Sequence, residues 1–116
     1  MMTSYTIFRV GQEPERASID WPEEPGYDRL KRMICPLLGD DEPLEHVAVL
    51  HDGERRDMFV SELGAVALTT RGPLPRNEAA TAIYRNNTLT RYPETDPEDI
   101  PAIYGTAILF DRIVWF

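Results

Sequence analysis

The run LEHVAVLHDGERRDMFVSE, residues 44–62, constrains this chain more than any other. Two stretches of strand-forming residues flank Asp52-Gly53, a dipeptide that suits the positive backbone angles of a two-residue hairpin turn. Such a turn sets the register: His51 pairs with Glu54, Val49 with Arg56 and Val47 with Met58. Directly paired residues share a face of the ladder. Val47, Val49, Met58 and Val60 therefore lie on one side, the expected core face. His46, Ala48, Leu50, Arg55, Asp57 and Phe59 lie on the other. A slip of one residue would exchange the two faces, so the turn decides which side chains are buried.

The remaining elements are weaker but consistent. SYTIFRV (4–10) alternates Tyr5, Ile7 and Arg9 with Thr6, Phe8 and Val10, as a strand does. GQEPER (11–16) predicts a loop, and ASIDW (17–21) a second short strand ended by Pro22. YDRLKRMICPLL (27–38) has apolar residues at Tyr27, Leu30, Ile34 and Leu37 or Leu38, the spacing of an amphipathic helix. Pro36 is expected to end its regular part near Ile34–Cys35 or to kink the last turn, and Gly39 supplies a stop. After the hairpin, ELGAVAL predicts a turn at Gly64 and a short strand at 65–68. Residues 77–85 predict a second helix capped by Asn77. Residues 86–101 contain three prolines and an acidic cluster, and predict a loop. Residues 102–110 predict a buried strand that Ile113–Phe116 extend or return beside. Hairpins dominate and no β-α alternation repeats. The expected fold is a single α+β domain over residues 1–116, with a mainly antiparallel sheet of about five strands and two helices packed on one face.

A chain of 116 residues can bury one core without a metal or disulfide staple. No apolar run approaches the ~20 residues of a membrane helix. The opening MMTSYTIFRVG lacks the features of a signal peptide. Cys35, the single cysteine, has no internal partner and is expected to be a small buried hydrophobe. These features point to a cytoplasmic protein that does not engage membranes. The net charge of −8 disfavours direct binding to nucleic acid, which calls for a basic face. The charge is uneven. Residues 11–45 carry ten acids against four bases, and ETDPED (94–99) adds four acids, whereas residues 54–91 hold six arginines against four acids. Solvated faces account for this distribution; so would an acidic surface shaped for a basic partner.

Several chemistries are poorly supported. His46 and His51 are five apart on one strand and point to opposite faces, so they cannot easily share a metal ion. No sequence feature brings a histidine to Cys35, and there is no nucleophile elbow, phosphate-binding loop or dinucleotide fingerprint. His51, Glu54 and Arg56 gather near the hairpin tip as surface partners. No catalytic residue, cofactor or metal is assigned. The remaining constellation is LPRNEAATAIYR (74–85). A helix start offers free N–H groups and a positive dipole end. Arg76, Asn77 and Thr81 there are the candidate ligand-binding residues, with Arg71 nearby, for a carboxylate or phosphate. The alternative is structural: Asn77 caps its own helix, Ala79, Ala80 and Ala82 permit close packing, and Arg76 pairs with an acid.

DMFVSELG (57–64), LPRNEAATAIY (74–84) and IYGTAIL (103–109), in this order, resemble the domain-of-unknown-function family numbered 3846. The resemblance covers about residues 44–110, with weaker support from the helix at 27–38. Members are small proteins, many of them in phages, plasmids and other mobile elements. The family carries no established activity, so the resemblance transfers no catalytic residue. It implies that Asn77, Ala80, Thr81 and Gly105 occupy patterned positions. The glycine fits a close backbone approach by the small alanine face of the second helix.

Three functions follow as expectations. The leading one is a small acidic, non-enzymatic interaction domain linked to a mobile element, with a protein partner and with self-association left open. The second is an acidic inhibitor that mimics nucleic acid and blocks a DNA-handling or defence protein. The third is a small-ligand or anion binder at the start of the 77–85 helix.

Overall fold

The computed structural model describes residues 1–39, 44–61 and 75–116. It contains strands β1 (Met2–Phe8), β2 (Glu15–Asp20), β3 (Leu44–His51), β4 (Glu54–Ser61) and β5 (Ala107–Phe110). The helices are α1 (Tyr27–Leu38) and α2 (Glu78–Arg91), with a short 3-10 turn at Pro97–Asp99. Asp52 and Gly53 take φ of 52° and 79° and close a two-residue turn. The β3–β4 register is the one the turn dictates, with Val47 opposite Met58 and Val49 opposite Arg56. All strand pairs are antiparallel, in the order β2-β1-β5-β4-β3. The fold is α+β, as the element pattern implies.

The helices do not share a face. α1 buries Leu30, Ile34 and Leu38 against Trp21, Phe59, Ile108, Phe110 and Val114. α2 buries Ala80 and Ile83 against Val49, Met58, Val60, Ala107 and Leu109 on the opposite face. The reason lies in Met58-Phe59-Val60 and Ala107–Phe110, whose apolar runs are continuous rather than alternating. Strands of that kind need cover on both sides. All four residues of β5 are buried at the centre of the sheet. Phe59 and Phe110 are fully enclosed, each contributing about 2–3 kcal/mol of apolar burial. The hairpin therefore has two core faces, not one.

Five elements differ from expectation at their boundaries. β1 starts earlier than residue 4, and β2 already begins at Glu15. α1 runs through Pro36 to Leu38. So close to the helix end, the proline forfeits one backbone bond, and the Gly39 N–H still closes the last turn on the Cys35 carbonyl at 2.9 Å. Cys35 lies off the Leu30–Ile34–Leu38 stripe and is half-buried, not a core residue. α2 extends six residues into the expected loop, to Arg91. Asn87 holds that extension: its Oδ1 accepts the Leu50 N–H at 2.8 Å and satisfies a backbone group of edge strand β3. β5 is shorter than expected because Gly105 takes φ 79° and interrupts the run. Ile113–Phe116 form no strand. The turn at Gly64 and the strand expected at 65–68 lie outside the described residues. Among the described residues no helix is long and apolar enough to cross a membrane.

Segment 111–116 is tied back across the sheet. The Arg112 guanidinium donates to Thr3 Oγ1 at 3.0 and 2.8 Å and to the Pro22 and Glu23 carbonyls at 3.0 and 2.7 Å. One side chain thus fastens this segment to β1 and to the loop that leads into α1.

Candidate functional site

The residues singled out in LPRNEAATAIYR are largely committed to the fold. Asn77 is buried and caps α2, its Oδ1 accepting the Ala80 N–H at 3.1 Å. Its Nδ2 donates to the Phe8 and Gly105 carbonyls at 2.9 and 2.8 Å. Thr81 Oγ1 accepts the Ile103 N–H at 2.9 Å and donates to the Ile103 carbonyl at 3.4 Å. Backbone bonds from Asn77 N to Ile103 O and from Gly105 N to Pro75 O complete a clamp around residues 103–105. Asn77 and Thr81 thus meet on one segment, and their side-chain polar atoms are spent there. Arg76 points elsewhere and pairs with Glu78 at 2.7 Å on the surface. Gly105 is approached not by the alanine face of α2 but by the segment before it, through the Arg76–Tyr104 bridge, the Gly105 N–H to Pro75 carbonyl bond and the Asn77 side chain.

An exposed aromatic cleft lies on the other side of the molecule. Tyr27, at the start of α1, is 52% exposed, Trp115 is 38% exposed and Phe116 is 67% exposed. Tyr27 and Trp115 meet edge to face with centroids 6.0 Å apart. Between them is a cavity of about 230 Å³, floored by Leu30 and Val114 and bordered by Glu24 and Gly26. Gly26 precedes α1 with φ 82°, a conformation that favours glycine. That turn sets Tyr27 at the lip, off the buried stripe on which its spacing had placed it. Lys31 Nζ lies over the Tyr27 ring, 5.9 Å from its centroid, within cation–π range.

Trp115 is positioned by a buried polar contact that the hairpin register brings together. Asp57 has 4% of its side chain exposed. Its Oδ1 accepts from His46 Nε2 at 2.6 Å, and its Oδ2 accepts the Val114 and Trp115 N–H groups, each at 2.8 Å. A carboxylate acceptor requires the hydrogen on Nε2, which fixes the imidazole tautomer. The His46 ring stacks on Trp115 at 5.4 Å and 17° and touches Phe59 at 5.4 Å. A carboxylate-oriented imidazole can be half of an acid–base pair. Here its faces are covered by aromatic rings, and the visible work of the pair is to hold segment 111–116.

A second charged group sits on the α2 face. Asp111 bonds Arg16 at 2.6 Å and Arg56 at 3.3 Å, and Arg16 also reaches Thr6 Oγ1 at 2.9 Å. The hydrogen bond to Asp111, and then its charge, raise the Arg16 pKa, so this guanidinium stays ionised at any ordinary pH. His51 reaches its neighbour Asp52 at 3.5 Å, and Arg56 reaches Glu54 at 3.9 Å, both partly solvated pairs at the hairpin tip. Among the described residues no group of three His, Cys, Asp or Glu side chains could hold a metal ion.

The hairpin pattern places His46, Asp57 and Phe59 together on one strand face, the one opposite the expected core face. What reveals the site is Trp115, which reaches the hairpin from a segment without regular structure that no periodicity describes. No protein-family model, curated protein or solved structure matches the chain.

Proposed function

We propose that the protein is a small acidic interaction domain whose contact surface is the cleft between Tyr27, Trp115 and Phe116. The observation that carries this is the exposure of three large aromatic side chains around one apolar cavity. Aromatic side chains in partly enclosed pockets are the residues most often found at the energetic centre of protein interfaces. The cavity fits one apolar side chain of a partner protein, and Glu24 at its rim suits a basic neighbour beside that side chain. The mobile-element link belongs to this proposal through the family resemblance.

Charge placement favours this reading over mimicry of nucleic acid. Glu23, Glu24 and Asp28 lie at the approach to α1, whereas Glu45 lines a cavity on the α2 face beside residues 101–104. Among the described residues the acids of 11–45 are thus divided between the two faces rather than gathered in one strip. The ligand-binding reading of the 77–85 helix start is weakened because Asn77 and Thr81 are engaged by backbone.

Affinity capture from host cells with the wild-type chain and with Tyr27→Ala/Trp115→Ala tests the proposal. One partner should be recovered by the wild type and lost with the double variant, while circular dichroism shows the fold retained. Equal recovery by a folded double variant would rule the cleft out. Sedimentation of the isolated chain reports whether the partner is a second copy.

A further inference from the structure

A second cavity, of about 220 Å³, opens on the α2 face between β3, β4 and residues 101–104. Val47, Val60, Ala102 and Ile103 line it, together with Ser61, Tyr84 of α2 and Tyr104. Glu45 is the ionisable acid on its lining. Among the described residues, neither the Glu45 carboxylate nor the hydroxyl of Tyr84 or Tyr104 has a hydrogen-bond or ion-pair partner, whereas the neighbouring polar side chains of Asn77, Thr81 and Asn87 are satisfied. One carboxylate-bearing side chain and two tyrosines thus line the same space as the aliphatic side chains of Val47, Val60 and Ile103.

We infer that this cavity binds a primary alkylammonium group with a short aliphatic stem. An ammonium nitrogen carries three donors and no acceptor, which matches a carboxylate and two phenol oxygens. The tyrosine faces attract the same cation, and the stem covers Val47, Val60 and Ile103. An anion would be repelled by Glu45, and a neutral ligand would gain nothing from its charge. The volume admits about the size of a lysine side chain beyond its Cβ or a small free amine. The cavity lies on the face opposite the aromatic cleft, so the inference is independent of the proposed function.

Methyl-detected NMR titration with n-butylammonium, with 1-butanol as the neutral isostere, tests it. Saturable shifts centred on Val47, Val60 and Ile103 are expected for the ammonium, with binding at least about tenfold weaker for butanol, a difference of ~1.4 kcal/mol. Glu45→Gln, at an exposed position that leaves the core untouched, should remove about the same factor. Tyr84→Phe should weaken binding more modestly with the apo spectrum preserved. A lysine blocked at both ends separates the sources: binding equal to butylammonium assigns the site to a protein side chain, and binding of the free amine alone assigns it to a small molecule. Equal affinity for butanol and butylammonium, no change on Glu45→Gln, or shifts centred elsewhere would overturn the inference.

Discussion

The Asp57 carboxylate accepts from His46 Nε2 at 2.6 Å, and its second oxygen takes two backbone N–H groups of segment 111–116. A single buried group therefore couples the β3–β4 hairpin to the segment that presents Trp115. The aromatic cleft depends on this link, because Trp115 is held from below by its own backbone N–H and from the side by the His46 ring.

Removing that carboxylate leaves three donors without their acceptor. Asp57→Ala is expected to destabilise the fold by about 2–4 kcal/mol, the range for leaving buried polar groups unpaired. Asp57→Asn keeps one acceptor oxygen and should cost less. Urea unfolding followed by tryptophan fluorescence measures both. A change below ~0.5 kcal/mol for Asp57→Ala would show that the link is dispensable.

At the helix cap, aspartate is no conservative replacement for Asn77. Aspartate caps helices as well as asparagine does. Here, however, Nδ2 donates to the Phe8 and Gly105 carbonyls. A carboxylate would set an acceptor against two acceptors. Asn77→Asp is expected to destabilise the protein at least as much as Asn77→Ala, by about 2 kcal/mol or more. Thermal unfolding of the two variants side by side checks the order.

Asn87 seals a backbone group on edge strand β3. Asn87→Ala should cost about 1–2 kcal/mol and speed hydrogen exchange at the Leu50 amide. Exchange at Met58, within the hairpin and shielded on both sides, should follow only the global change in stability. A Leu50 amide as protected as before would contradict this role.

Pro36 offers the reverse sign. It is exposed, and within α1 it leaves the Arg32 carbonyl without its helical donor. Pro36→Ala restores the bond while loosening the unfolded chain. The net expectation is a gain of up to about 1 kcal/mol, read by thermal unfolding.

Much of the fold was legible because local chemistry determined it. Asp52-Gly53 specifies the turn, the turn specifies the register, and Asn77 marks its helix start. The layer arrangement was missed where periodicity falls silent: Met58-Phe59-Val60 is apolar on both faces, and a continuous run signals two-sided burial rather than one core face. The end of α2 was missed because Asn86, Asn87, Thr88 and Thr90 are indifferent helix formers. Tertiary anchoring of Asn87 on Leu50 outweighs that preference. The aromatic cleft was hidden because Tyr27 and Trp115 are 88 positions apart in sequence and meet only once Asp57 and Arg112 fasten the last segment.

Site-specific photocrosslinking tests the central claim most directly. A benzophenone amino acid placed at position 27 reports on the cleft. The same residue at position 92 is the control, since Tyr92 is 65% exposed just beyond α2 on the opposite side. In host cells, position 27 is expected to give one discrete protein adduct that Trp115→Ala abolishes, and position 92 none. No adduct from position 27, or the same adduct from both positions, would contradict the assignment of the Tyr27–Trp115 cleft as the contact surface.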